Sequence, residues 1–176
     1  MSVPPFRVLA IALAAFALGS CSYVYDVLAV AIGGRLAFIV DPSSDRQPNC
    51  IHSISVTIDD DGPRAKPAPG DDERLVTNGG VYWEQTTAFN DCPNPFPIFY
   101  GAGIKGVPFV YDDGRAHVVS AKPLKPDFVY EVSANSQGSG YGSGWFRIDK
   151  KGRIENLRSD PTPINMIEDV SEDGSK

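Results

Sequence analysis

The side chains that most often carry out chemistry in proteins are few in this chain and widely spaced. Its two histidines, His52 and His117, stand in neither an H-x-H nor an H-E-x-x-H pattern, which would place two imidazoles on one metal ion. No serine lies in the G-x-S-x-G arrangement of an esterase nucleophile. Carboxylate pairs such as Asp127 and Glu131 come with no sign of a cleft between them. The sequence therefore predicts no catalytic residue and no metal site.

A glycine motif and two acidic clusters resemble ligand-binding motifs, but their backbone context predicts turns and loops instead. Residues 101–106 read G-x-G-x-x-G, but Pro108 and β-branched neighbours follow where a dinucleotide site needs a helix. These glycines indicate a bend between strands, and we expect no cofactor. The acidic clusters at 59–61 and 71–73 place adjacent carboxylates on opposite sides of an extended chain, which predicts a solvated loop and no calcium site.

The three cysteines carry the clearest chemical expectation. An odd number in an exported protein leaves one thiol to explain. If Cys21 is modified, Cys50 and Cys92 remain as a pair, and an export signal favours a disulfide bond between them. Two buried free thiols are the alternative, and that state is typical of cytosolic proteins.

The N-terminal residues have the organisation of an export signal. Arg7 is the only charged residue before Asp26, and residues 8–18 form an uncharged run rich in alanine and leucine. Small residues follow this run, as expected for a cleavage region. Cleavage after Ala17 or retention of the uncut segment as a membrane anchor are the alternatives to lipid attachment.

Residues 18–21, Leu-Gly-Ser-Cys, resemble the lipobox of bacterial lipoproteins. This resemblance implies that residues 1–20 are removed and that the Cys21 thiol carries a diacylglyceryl group. Ser22 follows where an aspartate would imply retention at the inner membrane. The resemblance therefore implies a lipid anchor in the outer membrane, with the domain facing the periplasm.

Chain length and net charge limit the number of domains and the classes of binding partner. With 176 residues, of which 42% are hydrophobic, the chain has room for one packed domain. Its formal net charge of -6 excludes non-specific electrostatic binding to nucleic acid or to anionic lipid headgroups.

Short apolar runs separated by turn residues predict the elements that position these side chains. We expect a single all-β domain over residues 21–158 and a loose acidic tail over 159–176. Eight or nine short strands with turns between them favour an antiparallel β-sandwich. The glycine- and serine-rich residues 135–144 are expected to connect two strands, and residues 59–73 to form a polar loop.

Alternation locates the faces of individual strands. In residues 51–58, isoleucine and valine alternate with Ser53, Ser55 and Thr57, which predicts a strand with one solvated face. Residues 81–87 read as a strand from their aromatic and β-branched content, with Trp83 as a core aromatic.

Residues 124–132 have the L-x-P-x-x-x-Y-x-V spacing and resemble the approach to the sixth strand of fibronectin type III domains. The resemblance implies an immunoglobulin-like sandwich in which Tyr130 is a corner tyrosine, buried and hydrogen-bonded to backbone just upstream. Strand alternation then places Phe128, Tyr130 and Val132 on the core face.

The remaining aromatic residues are candidate contacts with a protein or glycan partner, although their apolar character favours a place in the core. These candidates are Phe96, Phe99, Tyr100, Tyr141 and Trp145.

The sequence as a whole favours a membrane-tethered periplasmic lipoprotein that serves as a binding or envelope-assembly module without catalytic activity. The alternatives are a purely structural subunit of an envelope complex and a small hydrolase-like enzyme with an unrecognised site. A polar cleft that brings a carboxylate to His52 or His117 would favour the enzyme.

Overall fold

Strands dominate the part of the chain that the structure describes. The computed structural model describes residues 22–59, 61–88, 92–137 and 139–157. Its strands are β1 (Tyr23–Ile32), β2 (Arg35–Val40), β3 (Cys50–Ile51), β4 (Ser53–Ile58), β5 (Val81–Thr86), β6 (Asn94–Pro95), β7 (Ile98–Phe99), β8 (Val118–Val119), β9 (Val129–Ser136), β10 (Gly140–Ile148) and β11 (Ile154–Leu157). One short helix, α1 (Glu73–Thr77), is present among the described residues. The predictions for Cys21, for the signal segment 1–20 and for the tail 159–176 lie outside these ranges.

Nine strands form one mixed, strongly curled sheet in the order β7-β2-β1-β10-β9-β4-β5-β8, with β11 also paired to β10. Strands β3 and β6 form a separate two-stranded sheet. The all-β expectation is confirmed. The layout differs from the expected sandwich of antiparallel sheets, because β1 runs parallel to β10 and one continuous sheet curls around the core.

The curl originates where β1 changes partner. Its first residues, from Tyr23 to Asp26, pair with β10, whereas the residues from Val27 onward pair with β2. Where β1 leaves β10, the Asn156 side chain of β11 accepts a hydrogen bond from the Ala29 N–H (2.8 Å) and donates one to the Ala29 carbonyl (2.9 Å). The Asn156 side chain therefore hydrogen-bonds the Ala29 N–H and carbonyl groups, which no longer face β10.

The glycine- and serine-rich segment lies within the sheet, so its prediction as a connection is wrong. Strand β9 continues to Ser136 and β10 begins at Gly140. The glycines of β10 alternate onto the core face, where a Cβ at Gly142 would overlap the Tyr25 ring and one at Gly144 would overlap the Val27 carbonyl. Because these positions lack side chains, β1 can pack directly across β10.

The core contains the aromatic residues that the sequence placed there. Trp83 and Tyr130 are fully buried, and the Tyr130 ring stacks on Phe146 with 5.7 Å between centroids. The Tyr130 hydroxyl accepts a hydrogen bond from the Lys125 N–H at 2.8 Å and lies 3.3 Å from the Lys125 carbonyl, to which it donates. The buried, backbone-bonded Tyr130 is therefore confirmed.

Phe128 does not share the core face with Tyr130, which corrects the sequence prediction. The ring is 37% exposed, and β9 begins only at Val129. Asp127, just before it, has a φ of 65°, so the chain turns here and strand alternation does not extend back to Phe128.

Cys50 and Cys92 form the expected disulfide bond, with 5.5 Å between their Cα atoms. The bond joins β3 to the segment that leads into β6, and these two strands also pair with each other.

The acidic residues near 71 are not the solvated loop that the sequence predicted. The Asp71 side chain is 2% exposed and forms an ion pair with the buried Lys122. Burial works to raise the pKa of Asp71, but hydrogen bonds from Lys122, from Ala68 N–H and from Ser120 N–H outweigh it and lower that pKa. Asp72 caps α1, which the sequence analysis missed, by accepting from the Arg74 N–H at 3.0 Å.

No helix in the described ranges has the length and apolar character needed to cross a membrane.

Candidate functional site

A cavity of about 350 Å³ opens on the solvated face of the sheet and contains both histidines. Its lining residues come from the ends of three neighbouring strands and from the segment before β8; they are His52, Ser53, Glu84, Thr86, Phe109, Tyr111, His117 and Asn135.

Cross-strand pairing assembles the floor of this cavity, which consists of polar side chains. Ser53 on β4 lies directly opposite Thr86 on β5 and opposite Asn135 on β9. Residues paired in this way project from the same face of a sheet. The Asn135 Nδ2 donates a hydrogen bond to the Ser53 Oγ at 2.7 Å, which holds both groups at the surface of the cavity.

A carboxylate and an imidazole form the charged part of the site. His117 Nε2 lies 3.3 Å from Glu84 Oε1, and the same oxygen accepts a hydrogen bond from Thr86 Oγ1 at 2.9 Å. The hydrogen bond to Glu84 raises the pKa of His117, while partial burial of the ring works in the opposite direction. The pair therefore favours the protonated imidazole within a cavity that is mostly lined by uncharged groups.

Two aromatic rings complete the wall beside His117. Tyr111 stacks on the imidazole with 5.1 Å between ring centroids and an interplanar angle of 14°. Phe109 meets the imidazole edge-on at 5.9 Å. Their segment is held in place by a bridge between Thr87 and Pro108 and by another between Val110 and Ala116.

His52 contributes the second imidazole from the bend between β3 and β4. Its backbone N–H donates to the Asn135 carbonyl, and its carbonyl accepts from the Thr87 N–H, both at 2.9 Å. The side chain is 8% exposed, and this burial lowers the pKa of His52. The two histidines thus have pKa values shifted in opposite directions in one cavity.

Two hydroxyl groups of the cavity are hydrogen-bonded to neighbouring side chains. The Ser53 hydroxyl accepts a hydrogen bond from Asn135, and the Thr86 hydroxyl donates one to Glu84, the partner of His117. Among the described residues, no cluster of three or more His, Cys, Asp or Glu side chains is arranged to hold a metal ion.

Three of the five aromatic contacts predicted from sequence lie away from this site. Phe96 packs edge-on against Tyr25 in the core, and the Tyr100 hydroxyl bonds to backbone carbonyls of buried neighbours. Phe99 lies on β7 at the other edge of the sheet, beneath the Arg35 guanidinium at 4.5 Å.

The other two predicted aromatics project from the face that carries the cavity. Tyr141 lies opposite Asn135, and Trp145 lies opposite Glu131 on the same strand pair. Tyr141 is 54% exposed, whereas Trp145 is half-buried.

Sequence reasoning missed Glu84, Thr86, Tyr111 and Asn135 as site residues. The alternation in β4 predicted a solvated Ser53, which is wrong because this residue is 6% exposed. Its partners depend on the register of β4 with β5 and β9, which no local pattern specifies.

Two other cavities are lined mainly by ion pairs. One, of about 420 Å³, contains the contact between Arg115 and Asp72, which are 3.2 Å apart. The other, of about 310 Å³, contains Arg153 and Asp149, which are 2.6 Å apart. Unlike these two, the histidine cavity combines aromatic rings with hydroxyl, amide and carboxylate groups, which makes it the better candidate for ligand binding.

The structure is that of a β domain with a cavity lined by polar and aromatic side chains on one sheet face. The chain matches no protein-family model, no curated protein and no solved structure.

Proposed function

We propose that this protein is a lipid-anchored envelope protein that binds a glycan in the cavity between His117 and Asn135. The observation that carries the proposal is an aromatic wall facing a floor of hydroxyl, amide and carboxylate groups in one cavity. Sugars have apolar C–H faces that pack on aromatic rings and hydroxyl groups that hydrogen-bond to such polar side chains.

The charges in and around the site favour an uncharged ligand over an anionic one. Glu84 is 9% exposed and accepts hydrogen bonds on one of its oxygens, which leaves acceptor capacity for a ligand hydroxyl. The chain as a whole carries a formal net charge of -6 and repels phosphate-bearing molecules at long range.

Binding without catalysis is supported by the carboxylate content of the site. Hydrolysis of a glycosidic bond generally uses two carboxyl groups that flank the bond. Among the described residues that line the cavity, Glu84 is the only carboxylate.

A small hydrolytic enzyme is the second candidate, and the criterion derived from the sequence favours it, because one polar cavity brings a carboxylate to His117. Glu84 and His117 lie 3.3 Å apart, as in the acid–base partners of many hydrolases. Release of reducing ends from a glycan by the wild-type protein, abolished by Glu84→Gln, would favour the enzyme over the binding module.

Titration calorimetry with the full protein, extracted from membranes in detergent, tests the proposed glycan binding. The probes are β-1,4-linked oligomers of N-acetylglucosamine and of glucose. We expect saturable binding that Tyr111→Ala weakens by about tenfold, because the ring lines the cavity and holds the His117 imidazole in place by stacking on it. The matched control is Phe128→Ala, which truncates an exposed ring at the opposite end of β9 and leaves binding unchanged. Absence of saturable binding, or equal binding by a folded Tyr111→Ala variant, would refute the glycan proposal.

The anchoring part of the proposal is supported by the lipobox-like residues 18–21. Intact mass of the membrane-extracted protein should show loss of residues 1–20 and added acyl mass on Cys21. A chain beginning at Leu18, or one retaining Met1, would refute it. Fractionation of the envelope should place the acylated form in the outer membrane, where its domain faces the periplasm.

The immunoglobulin-like relationship is likewise a proposal, supported by the Tyr130 corner and its bond to Lys125. A solved structure in which the strands divide into two facing sheets would support it, and a single closed barrel would refute it.

A further inference from the structure

We infer that the ligand is an oligosaccharide, and that it runs from the histidine cavity along one cross-strand row of the sheet to a second aromatic contact at Tyr141. This inference rests on the proposed glycan binding and adds the length and direction of the ligand.

The row is set by strand register. Tyr141 on β10 lies opposite Asn135 on β9, which lies opposite Ser53 on β4, which in turn lies opposite Thr86 on β5. Directly paired residues share a face of the sheet, so all four side chains project from the face that carries the cavity. The hydrogen bond from Asn135 to Ser53 (2.7 Å) confirms the shared face at the centre of the row.

Tyr141 projects from the outer face of β10 into solvent. Its ring is 54% exposed and stands between Gly140 and Gly142, which face the core. Val24, its partner on β1, is 77% exposed, so an apolar patch lies at the end of the polar row. An exposed aromatic ring beside an exposed aliphatic group is a feature that often marks a contact surface.

The spacing of the row matches a chain of sugars. Neighbouring strands are about 4.8 Å apart, so Tyr141 lies about 10 Å from Ser53. A pyranose ring with its glycosidic oxygen spans close to one such step. A sugar held in the cavity would therefore be followed, two units along the row, by one that packs on Tyr141. Trp145 lies about 13 Å further along β10 and falls outside this path.

Chain-length dependence of binding tests the inference. Calorimetric titrations compare the mono-, di- and tetrasaccharides of the same β-1,4-linked series for three proteins: wild type, Tyr141→Ala and the control Phe128→Ala. For the wild type we expect the tetrasaccharide to bind more tightly than the disaccharide. Tyr141→Ala should weaken binding of the tetrasaccharide by about tenfold and leave that of the monosaccharide unchanged. Phe128→Ala should behave as wild type.

The outcomes separate this inference from the proposed function. If the wild type binds these saccharides with no gain from length, or if Tyr141→Ala binds the tetrasaccharide as tightly as the wild type, the extended site is refuted while the cavity remains a binding site. If no saccharide binds, both are refuted. Melting temperatures control for folding, since removal of an exposed ring should leave them unchanged.

Discussion

The Glu84 carboxylate lies 3.3 Å from the His117 imidazole, and this contact joins β5 to the segment that leads into the edge strand β8. Both groups line the cavity, and the Tyr111 ring covers the imidazole from one side. The contact thus joins the sheet edge to the wall of the cavity. In NMR titrations of the wild-type protein, His117 should titrate above the ordinary histidine pKa of about 6.5 and His52 below it.

Glu84→Gln should lower the pKa of His117 toward its ordinary value, because the amide keeps the shape of the side chain but removes the charge. A raised pKa in the folded state means that the pair stabilises the protein fully below about pH 6.5 and loses this effect as pH rises through the folded-state pKa. The variant should therefore lose stability mainly at acidic pH. Glu155→Gln, which neutralises an exposed partner of Arg147, is the control and should leave His117 unchanged. An unaltered His117 titration in Glu84→Gln would contradict the assigned pairing.

Tyr130→Phe should destabilise the domain by about 1–3 kcal/mol, because the Lys125 N–H loses its hydrogen-bond partner. Tyr130→Ala should cost more, since it also leaves a cavity beside Tyr82 and Phe146. Thermal or urea unfolding measures both effects. Tyr141→Phe serves as the control, because that hydroxyl is on an exposed ring, and it should not change stability. A Tyr130→Phe variant as stable as wild type would show that the corner bond does not contribute.

Gly142→Ala should destabilise the domain by about 1–3 kcal/mol, because the added methyl group overlaps the Tyr25 ring and forces β1 away from β10. Gly103→Ala is the matched control: a Cβ there meets no atom within 4 Å, so its unfolding midpoint should equal that of the wild type. Equal stabilities of the two alanine variants would mean that the close approach of β1 to β10 does not depend on glycine.

Removal of the disulfide bond by Cys50→Ser together with Cys92→Ser should lower stability by about 4 kcal/mol. The bond joins residues 42 positions apart, and its loss restores that loop's entropy to the unfolded chain. Urea unfolding of the double variant, compared with the oxidised wild type, measures the difference. The reduced wild type should unfold at the same urea concentration as the double variant, and a reduced protein as stable as the oxidised one would contradict this account.

The periodicity of the chain was sufficient to predict strands and the buried Tyr130, although the solvated face predicted for β4 was wrong at Ser53, which is 6% exposed. These are local properties: side chains alternate every second residue along a strand, and the Leu-x-Pro approach precedes the corner. The number of cysteines, together with the expectation of export, was likewise sufficient to pair Cys50 with Cys92. The glycines of β10 led to the wrong prediction of a connection between strands. Glycine is common in turns, but it is also the residue that permits two strands to pack closely.

The site was decided by tertiary structure. Glu84 and His117 are ordinary residues in their own segments, and they meet only because β5 pairs with β8. Ser53 and Asn135 meet because β4 pairs with β9. The sequence by itself determined that these segments are strands and which of their residues alternate, since those properties depend on neighbours in the chain. Partner and register depend instead on how the whole sheet curls around its core, because a shift of one residue in any strand would move its side chains to the opposite face.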